Sequence, residues 1–258
     1  LFLQMAGKVK VERSPKRPQW AHVRLYLVPD GLTTGLIPGD SSPFSILFNF
    51  REHQVEFMNG DGKKVNVPLE DGVSVAAFYG QFASALEQIG SPTLINVHPQ
   101  EFYDPLEFDK DDKHHSYDKV AIRKWLENML FAYGAMARYL TAFRCKVHYP
   151  AYYFGTMDLT CIVFSGEPAP FGKKDPVMEK AFDERLYECG FWPGDISFPQ
   201  AAFFAMPYPF IETIRGNESL LFMEIVLRGR RTQLISAIVV YIVIYFIRLS
   251  EDVVADFV

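Results

Sequence analysis

The densest run of chemically capable side chains lies between Glu101 and Asp118, where Asp104, Glu107, Asp109, Asp111, Asp112, His114 and His115 crowd one stretch. Carboxylates with imidazoles are the ligand set of Zn²⁺ and similar ions. Their spacing fits neither HExxH nor the calcium-loop series, which needs a central glycine. A solvated acidic loop, with Ser116 or Asp118 capping the helix that follows, is the plainer account. No metal is assigned on this pattern.

Single residues add to it. Asp158 sits in an alternating apolar stretch with Thr156 and Thr160 on its own face. Buried there, it would hold its proton to higher pH and serve as a general acid or base. His22 shares a strand-like face with Arg24 and Tyr26, and its imidazole titrates near neutrality. His22, His114 and Asp158 are the candidate catalytic set. Thr33 and Thr34 follow Gly31 and can offer hydroxyls to an anion or brace a turn. They join Tyr117 and Trp192 as candidate ligand-binding residues, Trp192 offering a ring for stacking or for plugging a core edge. The three cysteines, Cys145, Cys161 and Cys189, are far apart in sequence with no metal spacing. They read as structural thiols of a reducing, cytoplasmic compartment. No GxSxG, Walker loop, GxGxxG after a strand or zinc-finger spacing is present, which leaves only scattered constellations for catalysis.

These residues need elements to position them. Phe44, Ile46, Phe48 and Phe50 alternate, then Val55 and Phe57, then Val65, Val67 and Leu69, with Asn59-Gly60-Asp61-Gly62 between the last two runs. Period-two alternation around residues that tolerate positive φ predicts an antiparallel meander. Alternation also predicts strands at Val9–Val11, Ala21–Val28 and Thr93–Val97. Ser74 caps a helix to about Ile89, stopped by Gly90, and a longer helix runs from about Asp118 to Phe143 with an apolar stripe that includes Trp125, Met129 and Met136. Pro176 suits the first turn of a third helix, to about Cys189. Strands are expected at Tyr152–Phe154, Met157–Phe164 and Ala201–Met206. The class is α+β: an antiparallel sheet with about three helices packed on it, in a single domain over 1–211.

The 258 residues are 49% hydrophobic and 22% charged, an ordinary globular balance that excludes disorder. A net charge of −5 without a basic stripe argues against nucleic acid. The chain opens on Leu1-Phe2-Leu3 rather than Met, which reads as a fragment or processed product. Leu234–Ile247 carries no charge but ends at Arg248, short of the roughly twenty apolar residues a spanning helix needs. Its Ile and Val content predicts a buried strand instead, so a membrane partner is not expected. Residues 212–258 form a C-terminal apolar segment whose role the sequence leaves open.

Several runs, in order along the chain, carry a family likeness: His22-Val23-Arg24-Leu25-Tyr26, Gly31-Leu32-Thr33-Thr34, Phe48-Asn49-Phe50 with His53, Ser74 to Tyr79, His114-His115-Ser116-Tyr117-Asp118, Phe164-Ser165-Gly166 and Gly190-Phe191-Trp192-Pro193-Gly194. Over roughly residues 1–210 the chain resembles the bacterial domain of unknown function 5996 family. The resemblance implies a soluble protein and no known chemistry. It also implies departures, with Ala151 and Glu184 where histidines are expected and Asp30 and Val163 where arginines are. Missing motifs and these losses favour a non-catalytic domain that takes a small-molecule ligand or a protein partner. The alternative is an enzyme, of hydrolase type, built on His22, His114 and Asp158 around an aromatic pocket. No cofactor is indicated.

Overall fold

The computed structural model describes residues 1–195 and 199–210. The expected strand at Leu234–Ile247 and the segment 212–258 lie outside the described residues. The architecture is α+β with two antiparallel sheets: a five-stranded meander and a four-stranded sheet in the order β6-β7-β8-β9. The described residues divide into two compact units, the first of residues 1–130 and 151–157, the second of residues 131–150 with the described residues from 158 to 210.

In the first unit, β1 (Tyr26–Val28), β2 (Gly31–Thr33), β3 (Phe44–Asn49), β4 (Gln54–Asn59) and β5 (Lys64–Pro68) pair in sequence order. The alternation of the sequence becomes one buried face. Ile46 stands opposite Phe57 and Phe48 opposite Val55, all of them sealed from solvent. The Asn59 side-chain oxygen accepts from the amides of Asp61 (3.2 Å) and Lys63 (2.9 Å), which fixes the β4–β5 turn. Helix α2 (Val75–Gln88) lays Phe78, Phe82 and Leu86 on the sheet, with Phe82 edge-on to Phe57 at 5.1 Å. Ser74 caps it, accepting from the Ala77 amide. Loop 108–115 closes the same helix end, since the carbonyls of His114 and Asp111 accept from Val75 and Ala76.

Val9–Val11, expected as a strand, belongs instead to helix α1 (Phe2–Arg13). Two alternations are too few to set a period. Met5, Ala6, Val9 and Lys10 are buried at helical spacing, and Phe2 stacks on Phe78 at 3.7 Å. Gly7 makes this close packing work, because a Cβ there would lie 2.0 Å from the Phe154 ring. Residues 93–97 alternate in exposure but join no sheet; Arg13 of α1 donates to the Pro92 carbonyl and the Thr93 hydroxyl beside them. Of the strand expected over 21–28, only 26–28 pairs as one.

Helix α3 (Lys119–Leu140) begins where Asp118 accepts from the amides of Val120 (2.8 Å) and Ala121 (3.0 Å). It runs from the first unit into the second, and β6 (Val147–Tyr153) runs from the second back into the first. The second unit continues through β7 (Asp158–Pro168), the single turn α4 (Met178–Ala181), β8 (Glu184–Trp192) and β9 (Ala202–Tyr208). The third helix expected from Pro176 shrinks to α4, and the rest of that stretch is strand. Burial along β8 does not alternate strictly, with Cys189, Gly190 and Phe191 all buried, so the sequence carries no clear period of two to set against the proline signal. Ile162, Phe164, Leu186 and Tyr208 gather around Phe182 as this unit's core. Cys161 and Cys189 stand directly opposite each other on β7 and β8, both buried, while Cys145 is exposed. Among the described residues no helix is long and apolar enough to cross a membrane.

Candidate functional site

The clearest concentration of buried polar groups in the first unit surrounds Lys10. Its position on α1 follows from helical spacing with Met5, Ala6 and Val9, so the ammonium is carried into the core, 3% exposed. It donates to two main-chain carbonyls, Arg24 at 2.5 Å and Thr34 at 2.6 Å, and lies 4.6 Å from the centre of the Tyr26 ring. Two of its three N–H groups are thereby fixed, and the third has only that ring among the described residues. Burial pushes Lys10 down to about 7, and the Arg24 and Arg17 guanidiniums add to the effect.

His22 is the second member, 6% exposed. The turn before it is tightly wound: Gln19 and Trp20 both take left-handed backbone (φ 47° and 54°), unusual for residues with side chains. The turn brings the Arg17 amide to donate to His22 Nδ1 at 3.2 Å and sets the Trp20 ring 5.7 Å from the imidazole. With Nδ1 accepting, the neutral ring carries its proton on Nε2. That buried Nε2 has no hydrogen-bond partner. Burial lowers the His22 pKa first, and Lys16, then Lys10 and Arg17, lower it further against an opposing backbone contribution from Arg17. The ring is therefore a neutral donor at physiological pH.

The other expected site residues fall elsewhere. Thr34 contributes its carbonyl to Lys10, but its hydroxyl donates to Gly35 O (2.7 Å) and accepts from the Ile46 amide (2.9 Å). Thr33 Oγ1 likewise accepts from the Gly35 amide at 3.1 Å, so both hydroxyls brace the turn into β3. His114 Nδ1 is 2.8 Å from an oxygen of the fully buried Asp111, with Phe102 edge-on at 5.3 Å. Asp111 also accepts from the Lys113 and His114 amides. The Tyr117 hydroxyl meets His53 Nδ1 at 3.0 Å, and burial pushes it up to about 12.

Asp158 and Trp192 belong to the second unit. Asp158 opens β7 and is buried; Trp192 closes β8, and the Leu159–Phe191 pairing puts both at one end of the sheet. Glu188, two turns of the alternation along β8, is pushed up to about 8 by burial first and by Asp158 second. Among the described residues no three His, Cys, Asp or Glu side chains are grouped to hold a metal ion.

Lys10 and Glu188 do not figure among the residues the sequence singles out. Lys10 is hidden by the strand reading of its segment; as a helix, the spacing from Met5 through Val9 sets it on the apolar face. Glu188 is hidden by the helix reading of β8. No curated protein and no solved structure matches the chain. The model of one family, described as a family of unknown function (DUF5996), matches residues 1–219, and the chain belongs to that family.

Proposed function

We propose that the protein is a non-catalytic binding module that holds a small polar molecule at the Lys10–His22 cluster. One observation carries the reading: His22 Nε2 is a buried donor with no acceptor among the described residues, in the unit that also buries Lys10. Leaving a buried polar group unpaired costs on the order of 1–3 kcal/mol, a penalty that a bound acceptor removes. The tautomer argues for binding over catalysis. A general base at Nε2 needs a free lone pair there, and the Arg17 amide, by occupying Nδ1, puts the proton on Nε2 instead. The three free cysteines, far apart in sequence and without metal spacing, support a cytoplasmic setting for the module.

Native mass spectrometry of the purified chain, without added ligand, tests the reading. A retained small mass that disappears in His22→Phe supports it. A bare mass, joined to no change in melting temperature across a broad panel of polar metabolites, would remove it.

The alternative, a hydrolase, has the Asp111–His114 pair in its favour. A carboxylate on Nδ1 leaves Nε2 unprotonated, the orientation of a general base. Ester hydrolysis by the wild-type chain that is lost in His114→Gln would support this reading; equal background rates would dismiss it.

A further inference from the structure

We infer that Cys161 and Cys189 are a redox-active pair, which closes a reversible disulfide across β7 and β8 when a low-molecular-weight disulfide oxidises it. The inference concerns the second unit and is independent of the Lys10–His22 reading, which concerns the first.

Register is the first observation. Cys161 stands directly opposite Cys189 in the antiparallel pairing of β7 with β8, inside a regular run from Leu159–Phe191 to Phe164–Leu186. Directly opposed residues of such a pair have Cα atoms roughly 4.5–5.5 Å apart, and their side chains project to the same face. A disulfide spans Cα separations of roughly 4.4–6.8 Å, so the bond can close with the sheet in place. Contact is the second observation. Both side chains are buried, and the two thiols are hydrogen-bonded to each other. Among the described residues no three His, Cys, Asp or Glu side chains are grouped to hold a metal ion, so the two sulfurs are left to one another.

The chemistry is thiol–disulfide exchange in two steps. Cys189 is held protonated by the neighbouring Cys161 thiol and by burial, so the first attack falls to Cys161. The Cys161 thiolate attacks one sulfur of the incoming disulfide and breaks its S–S bond. One small thiol leaves with the electron pair and takes up the proton that Cys161 gave. The Cys189 sulfur, losing its proton, then attacks the Cys161 sulfur of the mixed disulfide and expels the second small thiol, which takes up that proton. Two protein thiols are oxidised, and one disulfide is reduced to two thiols. Burial makes the first step wait for local opening of the sheet. In a reducing setting a bond of this kind is transient, which suits a sensor better than a brace.

The test uses the full chain carrying Cys145→Ser, which removes the exposed thiol. It is equilibrated in glutathione buffers that run from reduced to oxidised. Incubation outlasts amide hydrogen exchange in β7 and β8, so the sheet has opened within it. Acid-quenched intact masses and peptide maps are the readout. The expected result is a loss of about 2 Da per chain, a cross-linked peptide pair holding Cys161 and Cys189, and full return on adding dithiothreitol. Cys161→Ala and Cys189→Ala, each made in the Cys145→Ser background and checked for folding by circular dichroism, should lose that change and take up glutathione instead. Should either variant fail to fold, the peptide map of the Cys145→Ser chain decides alone. An unchanged mass in the most oxidising buffer would overturn the inference. So would glutathione adducts that persist there on Cys161 or Cys189, or a disulfide that joins two chains.

Discussion

At the scale of single residues, Lys10 makes a sharp forecast about pH. Its value falls from 10.5 in the unfolded chain to about 7 in the fold. Between those limits the unfolded chain binds more protons than the folded one, so the Lys10 contribution to stability rises with pH from about 7 to 10.5. Lys10→Met should flatten that slope in urea melts taken across the range. The substitution also strands the Arg24 and Thr34 carbonyls, with an expected loss of about 1–3 kcal/mol at pH 7 partly offset by removal of the buried charge. If the slope persists in the variant, Lys10 is not its source. Gly7 is the second residue-scale case. A methyl at this position meets the Phe154 ring head-on, and neither the helix nor a buried aromatic can yield cheaply. Gly7→Ala should destabilise by about 1–3 kcal/mol in the same melts.

At the scale of elements, the helix ends are where local chemistry is most exposed to test. The Ser74 hydroxyl both accepts from Ala77 and donates to Asp112, joining the start of α2 to loop 108–115. Ser74→Ala should remove about 1 kcal/mol and raise hydrogen exchange in the first turn of α2 ahead of the rest of the helix. Unchanged exchange there would mean that the carbonyls of Asp111 and His114 suffice alone.

The meander, both capped helices and the α+β class are legible in the sequence because each rests on a long period or a cap with a stated geometry. Phe44 to Leu69 repeats its alternation across three strands, which no helix tolerates. The failures have equally local causes. Val9 and Val11 offer two alternations at most inside a segment whose burial follows 3.6 residues per turn. Pro176 announces a helix that lasts four residues before strand β8 begins at Glu184. The site was harder to read than the fold for the same reason. His22 is visible as a residue type, but its partner Lys10 lies on an element read with the wrong period. His114 and Asp111 are three residues apart in sequence and so are found together, whereas Asp158 acts on Glu188 only because β7 pairs with β8.

At the scale of the whole molecule, two units with separate cores need not answer to pH in the same way. Glu188 in the second unit moves from 4.5 to about 8, so the folded chain keeps a proton that the unfolded chain gives up in between. The Glu188 contribution to stability therefore falls as pH rises through that window, opposite in direction to that of Lys10. Glu188→Gln should level the decline between pH 4.5 and 8 while leaving the rise above 7 intact. A variant that altered the alkaline limb instead would mean the two titrations are coupled.

The three thiols offer a clock that needs no engineered probe. Cys145 stands at the surface, while Cys161 and Cys189 face each other inside the second sheet, where the neighbouring Cys161 thiol and burial both hold the Cys189 thiol well above its ordinary pKa. Only a thiolate alkylates at speed. A maleimide should tag one sulfur per chain within seconds to minutes, and intact-mass spectra should then show a long plateau at a single adduct. The second and third adducts arrive as a pair, at the rate with which β7 and β8 part. The spacing of those peaks in time thus reads out the breathing of one sheet in an otherwise unmodified protein, and tagging Cys145 beforehand leaves that readout free of background.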